Sequence, residues 1–397
     1  MRCARSPTAA CRPAHRTHRA SNGKSREHPH RLSKATHMSH PLTRRDFALR
    51  TAGLGLALGL APASTLAESA QASRTVPSPQ MADPYSLVDP ELLPVLKQFP
   101  AYDLTLEMVL KFRQLPGLPP LPAPAPQPVE RHIPGPPGAP AVRLWVVDPA
   151  PSQKDKPVLL HMHGGGFMMT DPMWMPQLQA IATDCHCVVV SVDYRLAPQT
   201  PYPGALQDNY AALEWVHAHA AELGIDRSRI AVGGESAGGG HAASLAIHAR
   251  DRNQVPILFQ LLLYPQLDDR TGSTQATPPA IGHFLWTASA NRLAWSSLLG
   301  VPAGSSRVPA GAVPARVASV AGLPPAWIGV GSIDLFVEED MEYARRLVHA
   351  GVATELLVMP GAFHGFDLLV PNAAASRQFS ASWKSALRKA FATGKAV

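Results

Sequence analysis

Cysteine is scarce, with four in 397 residues. Cys3 and Cys11 sit in a basic amino-terminal stretch, and Cys185 and Cys187 flank His186 in CHCVVVSVDY. That number and placement imply no disulfide framework. The C-x-C pair lacks the spacing and further ligands of a metal site, so both thiols are expected to pack as small buried hydrophobes. Long apolar runs are missing too. The run from Ala52 to Ala61 is about ten residues, short of the ~20 that cross a bilayer as a helix, so no stable membrane anchor is expected. Charged residues make up only 16% of the chain, and its net charge of +7 comes from one segment. Residues 1–37 hold nine Lys/Arg against Glu27 alone, leaving 27 basic and 28 acidic residues elsewhere. A nucleic-acid partner would need a basic face on the folded part, and that balance does not support one, so no nucleic-acid partner is expected. No internal repeat is present. What is abundant is apolar residues, at 46%, enough for a large core.

The stretch TRRDFALRTAGLGLALGLAPASTLA at 43–67 has the order of an export signal: a basic end, an apolar middle, then small residues. The paired Arg44 and Arg45 make it look like a twin-arginine signal, an address read by that export machinery. Cleavage after Ala67 would leave 24 basic and 27 acidic residues, a nearly neutral periplasmic or secreted protein. A cytoplasmic location follows if the leader is not functional. Met38 stands just upstream. Residues 1–37 therefore read as a disordered basic extension before a true start at Met38, with the signal at 38–67.

Beyond the leader, residues 83–115 carry helical spacing, with Leu92, Leu93, Val95, Leu96 and Phe99 recurring and Thr105 placed to cap a second short helix. Residues 116–140 hold eleven prolines and read as an extended connector that is neither helix nor central strand. From 141 onward, β-type and helix-type runs alternate. Strands are expected at 141–147, 157–163, 187–194, 229–234, 257–264, 325–331 and 354–360. Helices are expected at 174–184, 206–223, 237–251, 338–350 and near the carboxyl end. Alternation with continuously apolar strands predicts a parallel sheet covered on both faces. The sixty residues between Tyr264 and Pro325 are too many for a simple loop and predict an insertion over the carboxyl edge of the sheet.

Residues 232–241 read VGGESAGGGH. Gly234-Glu235-Ser236-Ala237-Gly238 is G-x-S-x-G between a strand and a helix, where a serine on a very sharp turn needs small neighbours at minus two and plus two. His163-Gly164-Gly165-Gly166 follows another strand. With Ala237, its backbone N–H groups are candidates for an oxyanion hole. A nucleophilic serine needs a base oriented by an acid. In this type of fold the order along the chain is nucleophile, acid, histidine. His364, in the loop GAFHGF after the last strand, is the candidate base. His241 and His248 lie on the helix after the serine and suit packing or solvent, while His349 lies on a late helix. Asp334, just past the strand PAWIGVG, is the candidate acid, with Glu338 as runner-up or loop support. His161-x-His163 resembles a metal pair, but His163 belongs to the glycine motif. Asp268-Asp269-Arg270 reads as a solvated turn, and Arg195 as a structural ion-pair partner.

HGGGF, DYRLAP, GESAGGG, SIDLFVEED and FHGF, in that order, resemble the hormone-sensitive-lipase-like esterases of the α/β-hydrolase fold, over roughly Asp83 to the carboxyl end. The resemblance implies an eight-stranded, mostly parallel sheet with helices on both faces, formed by residues 141–397. It also implies a helical cap built from residues 83–115 and an insertion at about 265–310. Roles implied at matching positions are Ser236 nucleophile, Asp334 acid, His364 base, and the His163–Gly166 loop with Ala237 as oxyanion hole. Many members carry proline after the acid, where Leu335 stands here. The implied activity is serine carboxylesterase on short- to medium-chain acyl esters, through an acyl-enzyme and without metal or organic cofactor. Phe167, Phe284 and Trp286 are candidates to line the substrate pocket, along with Leu285, Leu293 and Trp295, unless these residues only pack the cap core. A deacetylase or lactonase of the same fold is the alternative. A non-catalytic binding protein on this scaffold is a further one, disfavoured because all three triad members are present.

Overall fold

The computed structural model describes residues 83–99, 103–114, 126–169 and 174–394. The expected extension at 1–37, the signal at 38–67 and the connector's first half lie outside the described residues. Eight strands form one sheet: β1 (Val129–Ile133), β2 (Val142–Val147), β3 (Lys156–Met162), β4 (Val188–Asp193), β5 (Ile225–Glu235), β6 (Phe259–Leu263), β7 (Ala326–Gly331) and β8 (Thr354–Met359). Their order is β1-β2-β4-β3-β5-β6-β7-β8. β2 runs antiparallel to β1 and β4, and every pairing from β4 to β8 is parallel. The helices are α1 (Leu93–Leu96), α2 (Leu106–Phe112), α3 (Trp174–Cys185), α4 (Gly204–Ala218), α5 (Ala220–Leu223), α6 (Ala237–Arg252), α7 (Ala288–Leu299), α8 (Val337–His349), α9 (Phe366–Leu369) and α10 (Ala374–Thr393).

The sheet is buried on both faces because successive strand residues point opposite ways and both sets are apolar. Val158, Leu160 and Met162 of β3 share one core with Val188, Val190 and Val192 of β4 and with Leu213, Leu245 and Leu347 of α4, α6 and α8. Leu159 and Val189 face the other way, into a core with Leu178 and Ile181 of α3 and Phe379, Trp383 and Leu387 of α10. Cys185 and Cys187 are buried in this second core, and burial pushes both thiols up, Cys185 to about 11.

A third apolar cluster joins Leu104 and Val109, from and just before α2, to Ala290, Ala294, Trp295, Leu298 and Leu299 of α7. Its other members include Phe167, Ala237, Leu335 and Phe336, which follow the carboxyl ends of β3, β5 and β7. The segment between β6 and β7 thus packs over that edge of the sheet. Asp103 Oδ1 accepts from Ser289 Oγ at 2.8 Å, tying the approach to α2 to the start of α7. No described helix is long and apolar enough to cross a membrane.

Three sequence expectations need correction. The proline-rich connector contains β1, which the prolines permit because it is an edge strand with one pairing partner. The amino-terminal helical segment is divided: Val88, Leu92 and Leu96 pack in the second core, against the sheet rather than the cap, while Leu104, Met108 and Val109 join the cap cluster. Asp268 and Asp269 are not a solvated turn, being 4% and 0% exposed. Asp268 pairs with Arg270 at 2.6 Å. Asp269 pairs with Arg316 at 2.6 Å and accepts from Gly304 N–H, fastening the inserted segment from inside. Arg195 does pair with a buried acid, Asp208, at 2.7 Å.

Candidate active site

Ser236 stands between β5 and α6 with φ +56° and ψ −122°, a backbone conformation that a side chain with a Cβ rarely takes. The turn is held from several sides. Ser236 N–H donates to Leu263 O, its carbonyl accepts from Gln266 N–H, both at 2.9 Å, and Gly240 N–H donates to the same carbonyl at 3.0 Å. The flanking glycines are explained by contact distances. A Cβ on Gly234 would lie 2.1 Å from Met162 O, and one on Gly238 would lie 2.0 Å from it. The end of β3 therefore presses on both sides of the elbow. The serine side chain emerges at the amino end of the 16-residue helix α6, where the helix dipole favours negative charge.

His364 lies in the turn after β8, and Asp334 in the turn after β7. His364 Nε2 is 2.8 Å from Ser236 Oγ, and its Nδ1 is 2.8 Å from Asp334 Oδ2. Asp334 is 1% exposed and its other oxygen accepts from Phe336 N–H at 3.0 Å, which fixes the carboxylate plane. A carboxylate can only accept, so Nδ1 carries the ring proton and Nε2 is free to accept from the serine hydroxyl. Aromatic rings hold the imidazole on several sides: Tyr264 at 5.0 Å, Phe336 at 5.1 Å and Trp286 at 6.3 Å between centroids. Glu338, the runner-up acid, is exposed on α8 and has no part in this line of contacts.

The glycine loop after β3 is equally constrained. His163 stacks on Tyr194 at 4.3 Å, Tyr194 Oη donates to His163 O at 2.6 Å, and His163 Nδ1 donates to Gly164 O at 2.7 Å. Burial pulls the His163 imidazole down to about 4, so it is neutral and shapes the loop. His241, also buried, is pulled down to about 3 and packs beside Tyr194 and Phe167. Gly165 and Gly166 have φ of +109° and +58°. A Cβ on Gly165 would lie 2.2 Å from Met169 O, and one on Gly166 would lie 2.2 Å from the Trp286 indole. The N–H groups of Gly164, Gly165 and Ala237 donate to no other described residue.

The three pocket candidates separate. Trp286 touches the glycine loop and lies near His364. Phe167 is 2% exposed, with its ring in the cap cluster against His241 and Trp295. Phe284 is half-buried and packs against Tyr85 at 5.0 Å and Phe363 at 6.4 Å.

Sequence reasoning missed a polar group beneath the elbow. Glu235 and His161 are each 1% exposed. His161 Nε2 is 2.9 Å from Glu235 Oε2 and its Nδ1 is 3.0 Å from Ser191 Oγ. The available signal was a His and a Glu inside strand runs that are otherwise apolar. Glu339 was missed as well. It is buried and accepts from Leu267 and Asp268 N–H at 2.7 and 3.2 Å, bracing the segment after β6. His161 does not form a metal pair with His163, and no group of three or more His, Cys, Asp or Glu among the described residues is placed to hold a metal ion.

A mostly parallel sheet whose fifth strand ends in a strained serine, with partners delivered by later strand ends, is the architecture of an α/β-hydrolase. Residues 159–368 match the family described as alpha/beta hydrolase fold. Esterase LipI of Mycobacterium tuberculosis is 37% identical over 294 residues, covering 72% of this chain and 89% of LipI. Among solved structures, a bacterial heroin esterase is 36% identical with a TM-score of 0.68, covering 78% of this chain and 99% of that one. The ethyl acetate hydrolase of Pseudomonas putida is 32% identical over 210 residues, 52% of this chain and 65% of that protein. The chain belongs to the α/β-hydrolase family, in its hormone-sensitive-lipase-like branch, and is a carboxylic ester hydrolase.

Proposed function

We propose that this enzyme cleaves short- to medium-chain acyl esters by a covalent route through Ser236. The observation that carries the reading is the unbroken line of contacts from Ser236 through His364 to Asp334, each 2.8 Å. His364 Nε2 takes the hydroxyl proton as Oγ attacks the ester carbonyl. The carbonyl oxygen becomes an oxyanion, for which the N–H groups of Gly164, Gly165 and Ala237, bonded to no described residue, are the nearby donors. The tetrahedral species collapses, the alcohol leaves with the proton from His364, and the acyl group stays on Ser236. Water then attacks that ester with His364 again as base, releasing the acid and restoring the serine.

The preference for small acyl groups is supported by Trp286, whose indole occupies the space beside Gly166 and lies 6.3 Å from the His364 ring between centroids. The similarity to an ethyl acetate hydrolase agrees with it. A panel of p-nitrophenyl esters of increasing acyl length should give the highest kcat/KM at two to six carbons and a steep fall by twelve. A maximum at twelve or more would overturn the chain-length reading. Cleavage of lactones or amides with no turnover of any simple ester would favour the lactonase or deacetylase alternative.

We further propose that residues 38–67 are a twin-arginine export signal removed after Ala67. The support is the order Arg44-Arg45, apolar run, small residues. Amino-terminal sequencing of protein from the periplasm should begin near Glu68. An intact chain confined to the cytoplasm would overturn this.

A further inference from the structure

The glycine loop poses a mechanical problem. Gly165, Gly166 and Phe167 have φ of +109°, +58° and +63° in succession, and Phe167 has a Cβ that makes such an angle unfavourable. A segment like this keeps its shape only if its surroundings hold it. The carbonyl of Phe167 accepts from Ala197 N–H at 3.0 Å, and that of Gly165 accepts from Met168 and Met169 N–H at 3.0 and 2.8 Å. One side chain from a distant part of the chain completes the frame. Arg113, the residue that ends α2, donates from Nε to Met168 O and from Nη1 to Gln199 Oε1, both at 2.6 Å, and from Nη2 to Ala197 O. Its guanidinium joins the two backbone segments whose mutual contact sets Phe167. A planar fork with donors on three nitrogens can serve three acceptors at fixed angles, which an ammonium cannot do on the same geometry. Val109 of the same helix, and Leu104 just before it, pack into the cluster that holds Phe167 and Met168.

Building on the esterase reading above, we propose that Arg113 is a positioning residue for the oxyanion loop: by clasping the carbonyls of Met168 and Ala197 it fixes the Gly164–Phe167 backbone, so that correct seating of α2 sets the geometry in which the Gly164 and Gly165 N–H groups meet the transition state. Arg113 touches no reacting atom. Its effect passes through the loop, and a misplacement of about 1 Å there can cost roughly a hundredfold in rate.

The test compares wild type with Arg113→Ala and Arg113→Lys on a short p-nitrophenyl ester. The expected result is a kcat lower by roughly ten- to a hundredfold, with KM within threefold and a cooperative thermal unfolding transition retained. Methylguanidinium, well below denaturing concentration, should restore part of kcat to Arg113→Ala and none to Arg113→Lys, whose own side chain fills the space. Labelling of Ser236 by a p-nitrophenyl phosphonate, which places an anionic oxygen in the same donors, should slow in parallel. If the alanine variant does not fold, Arg113→Lys and Arg113→Gln carry the comparison. A raised KM with unchanged kcat would make Arg113 a wall of the substrate pocket and overturn the proposal, as would a kcat loss matching the loss of folded protein with no rescue. Ser236→Ala separates the two levels. Full turnover in that variant sinks the esterase mechanism itself, whereas loss there with normal kcat in the Arg113 variants sinks only this proposal.

Discussion

Ser236→Ala should lower kcat by on the order of 10⁵–10⁶-fold, and Ser236→Ala combined with His364→Ala should lose little more, because members of a triad act as a unit. The structure gives the reason. His364 Nε2 has one polar contact of consequence, the serine hydroxyl, so removing either partner removes the attacking oxygen or its activation. Asp334→Asn should cost about 10⁴-fold: Phe336 N–H keeps the amide oxygen on its side, so the NH2 faces Nδ1, can only donate to it and favours the wrong tautomer. Glu338→Gln, at the exposed runner-up position, should stay within a few-fold of wild type. Steady-state kinetics on one ester settles the series. Independent, multiplicative losses from Ser236 and His364, or a larger loss from Glu338→Gln than from Asp334→Asn, would overturn the assignment.

Asp340→Asn should stabilise the protein at neutral pH by about 1–3 kcal/mol, because an amide stays neutral at any pH whereas the buried carboxyl must hold a proton that the unfolded chain would release. Asp340 lies on α8, 0% exposed, and neither carboxyl oxygen has a hydrogen-bond partner among the described residues. Burial, with Glu339 and Asp334 close by, pushes its carboxyl well above the ordinary range. A carboxyl raised in the folded state gives the fold its full stability only below the unfolded pKa, about 4, and that stability is lost as pH rises through the folded value. The gain from asparagine should therefore vanish near pH 4 and grow toward pH 8. Each kcal/mol should appear as about 1–2 °C in the unfolding midpoint of a chain this long. A midpoint difference that is flat with pH, or a destabilised variant at pH 8, would contradict the assignment of a strained acid at this position.

Strand and helix order after residue 141 was legible because the strands are buried on both faces. Runs such as VVVSVD have no alternation to misread, and both faces of β3 and β4 are filled by helices. Ser236 and His364 were legible for a steric and a topological reason. Glycine at 234 and 238 is demanded by Met162 O, and one late histidine alone follows the last strand. What the sequence hid were pairings at a distance. β1 is short and mostly exposed amid prolines, so neither hydrophobic pattern nor composition marks it. Asp268 and Asp269 look like a turn until Arg270 and Arg316 close on them. Phe167 adjoins the glycine motif and reads as a pocket wall. Its φ of +63° and its contacts with His241 and Trp295 instead make it part of the cap's interior.

The groups of the proposed triad come from the ends of β5, β7 and β8, and β8 is the last of the eight to be synthesised. A growing or refolding polypeptide can lay down every earlier strand and still be inert, because the imidazole arrives only when the edge strand docks on β7. Recovery of turnover after dilution from urea should therefore come no earlier than the docking of β8 on β7. The enzyme reports, by its own hydrolysis, when this border is complete.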